Sequence, residues 1–196
     1  MAVRTKRSPG RPAAAMPEDV VRVATEDFVA HRRIDVQRIA AELGLARATV
    51  YRWFGSREGL IGEVMVALAV GRIQTARRRT RGHGAAALLR IFDRVNRDLA
   101  RDHALRAWLE QEREQALRIL TARSGPVQPR VVEEVERVIR DEVETGAYRP
   151  LIAPERLAYA IVRLAESFLY PDAALGDQSD VVQLREVQAV LLGVGR

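Results

Sequence analysis

The side chains with the most chemical content in this sequence lie between Val36 and Leu60. Within the run VQRIAAELGLARATVYRWF (36–54), Ala40, Gly44 and Val50 recur at spacings of four and six. Two short helices that cross steeply need a small residue at the contact, a turn residue that accepts positive φ, and a branched apolar residue pinning the second helix. These three positions supply them in that order, and Ile39, Leu43 and Leu45 fill the space beneath, against Phe28. The pattern is that of a helix-turn-helix. Its chemistry is non-covalent: hydrogen bonds to phosphates position it on a duplex, and bonds to base edges read the sequence.

Other chemistries lack their groups. The chain has no cysteine, which excludes disulfides, thiolate metal sites and Cys nucleophiles. It has no P-loop, no dinucleotide fingerprint, no GxSxG elbow and no HExxH pair, and His31, His83 and His103 are scattered. The acidic residues fall mostly on polar helical faces, where solvation is the ordinary role. The expectation is a non-enzyme with no cofactor and no metal.

The charge balance points the same way. The 196 residues carry a formal charge of +6 and a pI near 10.6, which favours an anionic partner. Residues 1–60 hold eleven basic against seven acidic residues, and the remaining 136 hold twenty-one against nineteen, so most of the excess sits in the first third. All basic residues but Lys6 are Arg. The N-terminus is basic but has no apolar stretch of the secretory kind. No apolar run reaches the roughly 18 residues that span a bilayer. The expected compartment is the cytoplasm, in association with the nucleoid.

These side chains need helices to hold them, and the periodicity is helical throughout. Residues 1–15 have no period and read as a flexible basic arm. Pro17, Glu18 and Asp19 mark a helix start, since Pro fits the first turn and acids suit the positive end of the dipole. That helix runs to about His31, with Val20, Val21, Ala24 and Phe28 on one face. Short helices are expected at 36–43 and 47–53. A long helix starts at Ser56 and reaches Arg79, its stripe formed by Leu60, Val64, Ala67, Leu68 and Gly71. Further helices fall at 85–101, 104–123, 129–145, 155–170 and 181–193. Gly82 and Gly84, Ser124-Gly125-Pro126, Gly146, and a turn from Gly176 to Asp180 punctuate them. The fold class is all-α: a three-helix helix-turn-helix unit over 16–62, joined to a second helical unit over 63–196.

The flanks of the motif carry a family resemblance. Val50-Tyr51-Arg52-Trp53-Phe54, followed by Gly55-Ser56-Arg57-Glu58-Gly59-Leu60, closely resembles the end of the DNA-binding domain in TetR-family regulators. There an aromatic-rich recognition helix runs into a Ser-Lys/Arg-Glu-x-Leu start of the fourth helix. The resemblance covers residues 17–62. Two departures stand out: the segment from Phe28 to Ile39 is about two residues short and lacks a Gly, and Ala46 stands where a capping Ser or Thr is common. Asp35 is left to cap the second helix and Ser56 the fourth.

By this resemblance, Arg47, Thr49 and Arg52 lie on the outward face of the recognition helix. Arg47 is placed to fork onto guanine O6 and N7, with a phosphate or solvent as its alternatives. Thr49 faces a thymine methyl, a phosphate or solvent. Tyr51 takes the part of a phosphate-binding tyrosine, or packs. Arg57 reaches a phosphate from the long helix, and Gln37 is a weaker backbone candidate. Trp53 and Phe54 read as core. Arg11, in Ser8-Pro9-Gly10-Arg11-Pro12, resembles the minor-groove arginine of an AT-hook; a solvated tail that adds affinity at low salt is the alternative. The run from Arg77 to Arg81 reads as a solvated helix end.

The resemblance further implies a homodimer on a palindromic double-stranded operator and a ligand-sensing C-terminal body. Leu157, Ile161, Leu164, Val187 and Leu191 are the candidate dimer contacts, although a monomeric core explains the same stripes. Phe92, Trp108, Leu109, Leu117 and Phe168 are candidate cavity residues for an apolar or amphipathic effector. Tyr159 and Arg163, with His103 and Arg106, are candidate polar anchors. The C-terminal half is similar to regulators of quorum-signal-degrading lactonases, which suits an acyl ligand. A repressor released by its effector is the implied function, with a ligand-independent regulator or an activator as alternatives.

Overall fold

The computed structural model describes residues 15–170 and 178–194; the arm with Arg11, and Gly176 of the expected turn, lie outside the described residues. Ten helices follow in order among them: α1 Pro17–Val29, α2 Val36–Glu42, α3 Arg47–Phe54, α4 Arg57–Arg79, α5 Gly84–Ala100, α6 His103–Gln111, α7 Arg113–Thr121, α8 Val127–Glu144, α9 Pro154–Leu169 and α10 Gln178–Leu192. No strand occurs among the described residues.

The helix ends follow from local chemistry. The Asp35 carboxylate accepts the backbone N–H groups of Gln37 and Arg38 at the start of α2, and those bonds hold its pKa below the usual carboxylate value. Ser56 Oγ accepts from Gly59 N at 3.1 Å and caps α4. Ala46 leaves α3 without a side-chain cap. Beyond α8, Gly146 takes φ +74° and closes the helix.

Two buried clusters share α4. The first joins α1–α3 and the N-terminal half of α4 (Leu60, Ile61, Val64, Met65) to Leu105, Leu109 and Ala116 from α6 and α7. The second joins Ile73 and Ala76 of α4 to α5, α8, α9 and α10, around Leu88, Phe92, Ile139 and Leu157. A long helix of 23 residues, about 34 Å at the standard rise, therefore runs through both. It is apolar enough by length and composition to cross a membrane, although Glu63 and Arg72 interrupt its apolar run. Its packing against α1, α5, α7 and α8 accounts for that character.

Two expectations need correction. The stripe of α4 is Leu60, Ile61, Val64, Met65, Ile73 and Ala76, whereas Ala67 and Gly71 are exposed and Leu68 is half-buried. The helix expected over 104–123 is two helices, broken at Glu112 with φ −127° and ψ 43°. Nothing in the local sequence breaks a helix there. Instead the Glu112 carboxylate accepts from Trp108 Nε1 of α6 at 3.3 Å and lies 3.5 Å from Arg57 Nη1 of α4, so a contact from another helix holds the bend.

Close approach between α4 and the α7–α8 turn requires Gly62. A Cβ at this position would lie 2.6 Å from Pro126 Cγ. Alanine would gain about 1 kcal/mol in helix propensity, but overpacking costs roughly 1–3 kcal/mol. Gly62→Ala is therefore expected to lower the denaturant midpoint rather than raise it, and an unchanged or higher midpoint would show that the turn yields.

Candidate DNA interface and effector cavity

The head is built around Ala40, Gly44 and Val50. Ala40 and Val50 are buried where α2 and α3 cross, and Gly44 adopts φ +65° in the turn. The α1–α2 link is held by a feature absent from the sequence reading. Asp27, 1% exposed, receives Arg32 Nε at 2.9 Å and also pairs with Arg38, which donates to Glu42 at 2.6 Å. This carboxylate fixes α2 against α1. His31 takes φ +56° in the shortened link, a conformation that His adopts more readily than most non-glycine residues.

On the outer side, Gln37, Arg47, Tyr51 and Arg57 line one open groove, together with Arg33 and Asp35. Arg47 and Arg52 are exposed, and Thr49 and Tyr51 are half-buried. Arg47 Nη2 donates to Tyr51 Oη at 3.1 Å, and its guanidinium sits 5.1 Å from the Tyr51 ring centroid. This contact holds an otherwise mobile fork beside the groove, reducing the rotamer entropy lost when it binds a base or phosphate. Arg57 departs from expectation: its Nε donates to Ile34 O at 3.1 Å and its Nη1 reaches Glu112. It borders the groove but serves first as a tie between the head and the α6–α7 bend. Arg33 was missed; its position just before the cap of α2 was the available signal.

A second concavity lies between α4, α5, α8 and α9, with about 860 Å³ of unfilled space including its mouth. Its walls include Met65, Leu68, Phe92, Val131, Ile161 and Leu169, and its polar lining is Arg72, Asn96, Gln128, Glu166 and Tyr170. Gln128 Nε2 lies 3.1 Å from both Glu166 carboxylate oxygens and 3.2 Å from Thr121 O. Arg163 Nη1 donates to Glu166 Oε2 at 2.6 Å from outside. Burial raises the Glu166 pKa against the opposing pull of Gln128 and Arg163. Burial also raises that of Tyr170, with the Glu166 charge adding to it, so the phenol stays protonated. Asn96 Nδ2 donates to Gln188 Oε1 at 3.0 Å, and Arg72 pairs with Asp102.

Of the seven candidate effector residues, Phe92 alone lines this cavity. Trp108 packs edge-on against Phe28 at 5.9 Å, and Leu109 and Leu117 belong to the cluster around the head. Phe168 is half-buried outside the lining. Tyr159 is exposed under the Arg123 guanidinium, and Arg163 pairs with Glu166 from outside the lining. His103 is exposed, and Arg106 holds Ala100 O at 2.7 Å. The missed polar residues had a signal in the sequence: Asn96 and Glu166 interrupt the apolar stripes Phe92–Val95–Leu99 and Ile161–Val162–Ala165–Leu169. Of the dimer candidates, Leu157 and Ile161 are buried within this chain's own core, which leaves them no surface for a partner. Leu164 and Leu191 are half-buried, and Val187 is exposed.

Removing the Tyr51 hydroxyl tests the groove. Tyr51→Phe is expected to loosen Arg47 and weaken duplex binding about 5–30-fold, the effect of losing about 1–2 kcal/mol. Arg47→Ala should lose sequence preference in a competition gel shift while keeping the native sedimentation coefficient. Unaltered preference would remove Arg47 from the base-reading set.

Comparison with known proteins places both halves of the chain. Residues 32–64 match the model for bacterial regulatory proteins of the tetR family, and residues 83–193 match that for the tetracyclin repressor-like C-terminal domain. Among solved structures, the transcriptional repressor QsdR of R. erythropolis is similar at 25% identity and TM-score 0.82, over 92% of this chain and 95% of that one. AlkX of Dietzia sp., implicated in biodegradation of n-alkanes, shares the fold at 23% identity and TM-score 0.62, over 87% and 93%. FadR of Bacillus subtilis, solved with stearoyl-CoA, does so at 16% identity and TM-score 0.51, over 91% and 98%. No curated protein matches the chain in sequence.

Proposed function

The chain belongs to the TetR family of ligand-responsive, DNA-binding transcriptional regulators, and we propose that it is a homodimeric repressor released from a palindromic operator by an apolar or amphipathic small molecule. The observation that carries this reading is the sharing of α4. Its N-terminal half closes the core of the head, while Met65, Leu68, Ala69, Arg72 and Ile73 wall the cavity. An occupant of the cavity therefore presses on the element that carries the recognition helix.

Three further ties support a mechanical connection. Arg57 reaches Glu112, Gln115 Nε2 donates to Glu58 Oε1 at 2.7 Å, and Arg130 Nη1 donates to Glu63 Oε2 at 2.6 Å. The first two turns of α4 are thus bound to α7, α8 and the bend before α7. A ligand favouring one arrangement of these helices shifts the population toward it, and the spacing of two heads in a dimer shifts with it. Coupling of about 1–3 kcal/mol would change operator affinity by roughly 5–150-fold.

The dimer contact is assigned to the outer faces of α9 and α10. Leu164 and Leu191 remain partly open there, and Val182, Val187 and Val190 are exposed, Val190 by 69%. Pairing these faces forms a four-helix bundle about a two-fold axis and sets two recognition helices on successive half-sites. The protein acts in the cytoplasm, on the nucleoid. Groove residues Gln37, Arg47 and Tyr51 grip the duplex with Thr49 and Arg52, and Arg11 adds charge from the arm.

The dimer assignment is tested by Val190→Arg, which is expected to halve the mass in light scattering and abolish operator binding while preserving helicity. A dimeric Val190→Arg protein would move the interface elsewhere. For the effector, apolar probes are expected to raise the melting temperature and reduce binding to the chain's own promoter region in parallel. Stabilisation without release would make the cavity a structural void filler.

A further inference from the structure

The polar groups of the cavity form a specific charge arrangement. Glu166 is paired with Arg163, and Arg72 with Asp102, so the lining is neutral before any ligand enters. A head carrying net charge would add an uncompensated charge to a largely apolar, half-closed space, which is costly. A carboxylate would face Glu166 and could reach Arg72 only in competition with Asp102, and an ammonium would face Arg72 and could reach Glu166 only in competition with Arg163.

The hydrogen-bonding inventory narrows the choice. Glu166 offers two acceptor oxygens with about four lone-pair sites, and among the described residues Gln128 and Arg163 donate to them. The Gln128 nitrogen is committed to Thr121 and Glu166, while its amide oxygen accepts no hydrogen bond among the described residues. Spare acceptors therefore sit at one part of the lining. Tyr170 and Arg72 line the same cavity and supply hydrogen-bond donors to it. A ligand head that both donates and accepts, without net charge, satisfies both sets.

We propose that Glu166 and Gln128 make this cavity selective for an aliphatic chain ending in a neutral amide, whose N–H meets their oxygens and whose carbonyl meets Tyr170 or Arg72. Chains of equal length ending in carboxylate or ammonium are discriminated against. The proposal rests on the cavity being the effector site. It makes Glu166 a specificity residue, with Arg163 setting its charge balance from outside.

The test uses the full-length protein and four probes of one chain length: decanamide, 1-decanol, decanoate and decylamine. Melting shifts and release of promoter DNA are measured at neutral pH below each probe's aggregation threshold. On the unaltered protein decanamide is expected to bind about tenfold or more tightly than decanoate or decylamine, with 1-decanol between. Glu166→Gln removes the acceptor charge and is expected to improve decanoate at least about fivefold while weakening decanamide. Decanoate or decylamine binding the unaltered protein as well as decanamide overturns the selectivity while leaving the cavity as effector site intact. No shift by any probe, on protein that still binds DNA, overturns the effector-site reading and this inference with it. The ranking on unaltered protein decides the matter if Glu166→Gln fails to fold.

Discussion

A single helix has to satisfy two cores at once, and the rest of the structure is arranged around that constraint. Leu60, Ile61 and Val64 of α4 are fully or almost fully buried against α1–α3 and the α6–α7 pair, whereas Ile73 and Ala76 are buried against α5 and α8–α10. Because protein interiors pack densely, neither group can shift without its neighbours shifting too. An unbroken hydrogen-bonded helix transmits that displacement along about 34 Å with little loss. The looser packing lies between the two groups, where the cavity opens beside Leu68, Ala69 and Arg72.

The charged ties work on the same helix nearer its N-terminal end. On an isolated helix-turn-helix Arg57 would keep only the Ile34 carbonyl; here Glu112 holds its guanidinium as well. Surface pairs of this sort add little stability, on the order of 0–1 kcal/mol each. Their value is geometric, because they fix the bend at Glu112 to the head. Asp27 differs. It is buried and bonded to two arginines, so it orders the α1–α2 link that the shortened chain and His31 would otherwise leave strained.

The cavity and the exposed face of α9 and α10 show how one amphipathic pattern serves two ends. Val162, Ala165 and Glu166 of α9 face the cavity, whereas Leu157 and Ala158 enter the core. Only the remaining face is free for a second chain. An apolar stripe by itself cannot distinguish these destinations, which is why Leu157 and Ile161 read as interface residues and proved to be interior.

The sequence alone determined what depends on near neighbours. Ala40, Gly44 and Val50 specify the crossing of α2 and α3, Asp35 and Ser56 set the starts of α2 and α4, and Gly146 ends α8, because each acts on residues close to it in the chain. The helical plan of the described residues was legible for the same reason, apart from the bend at Glu112. Tertiary structure decided everything that depends on residues far apart in the chain: the bend itself, the Asp27 clamp, the tie from Arg57 to Glu112, and the choice of Phe92 rather than Trp108, Leu109 or Leu117 for the cavity. Helical periodicity reports which side of a helix is apolar, but it carries no information about which distant element that side will meet.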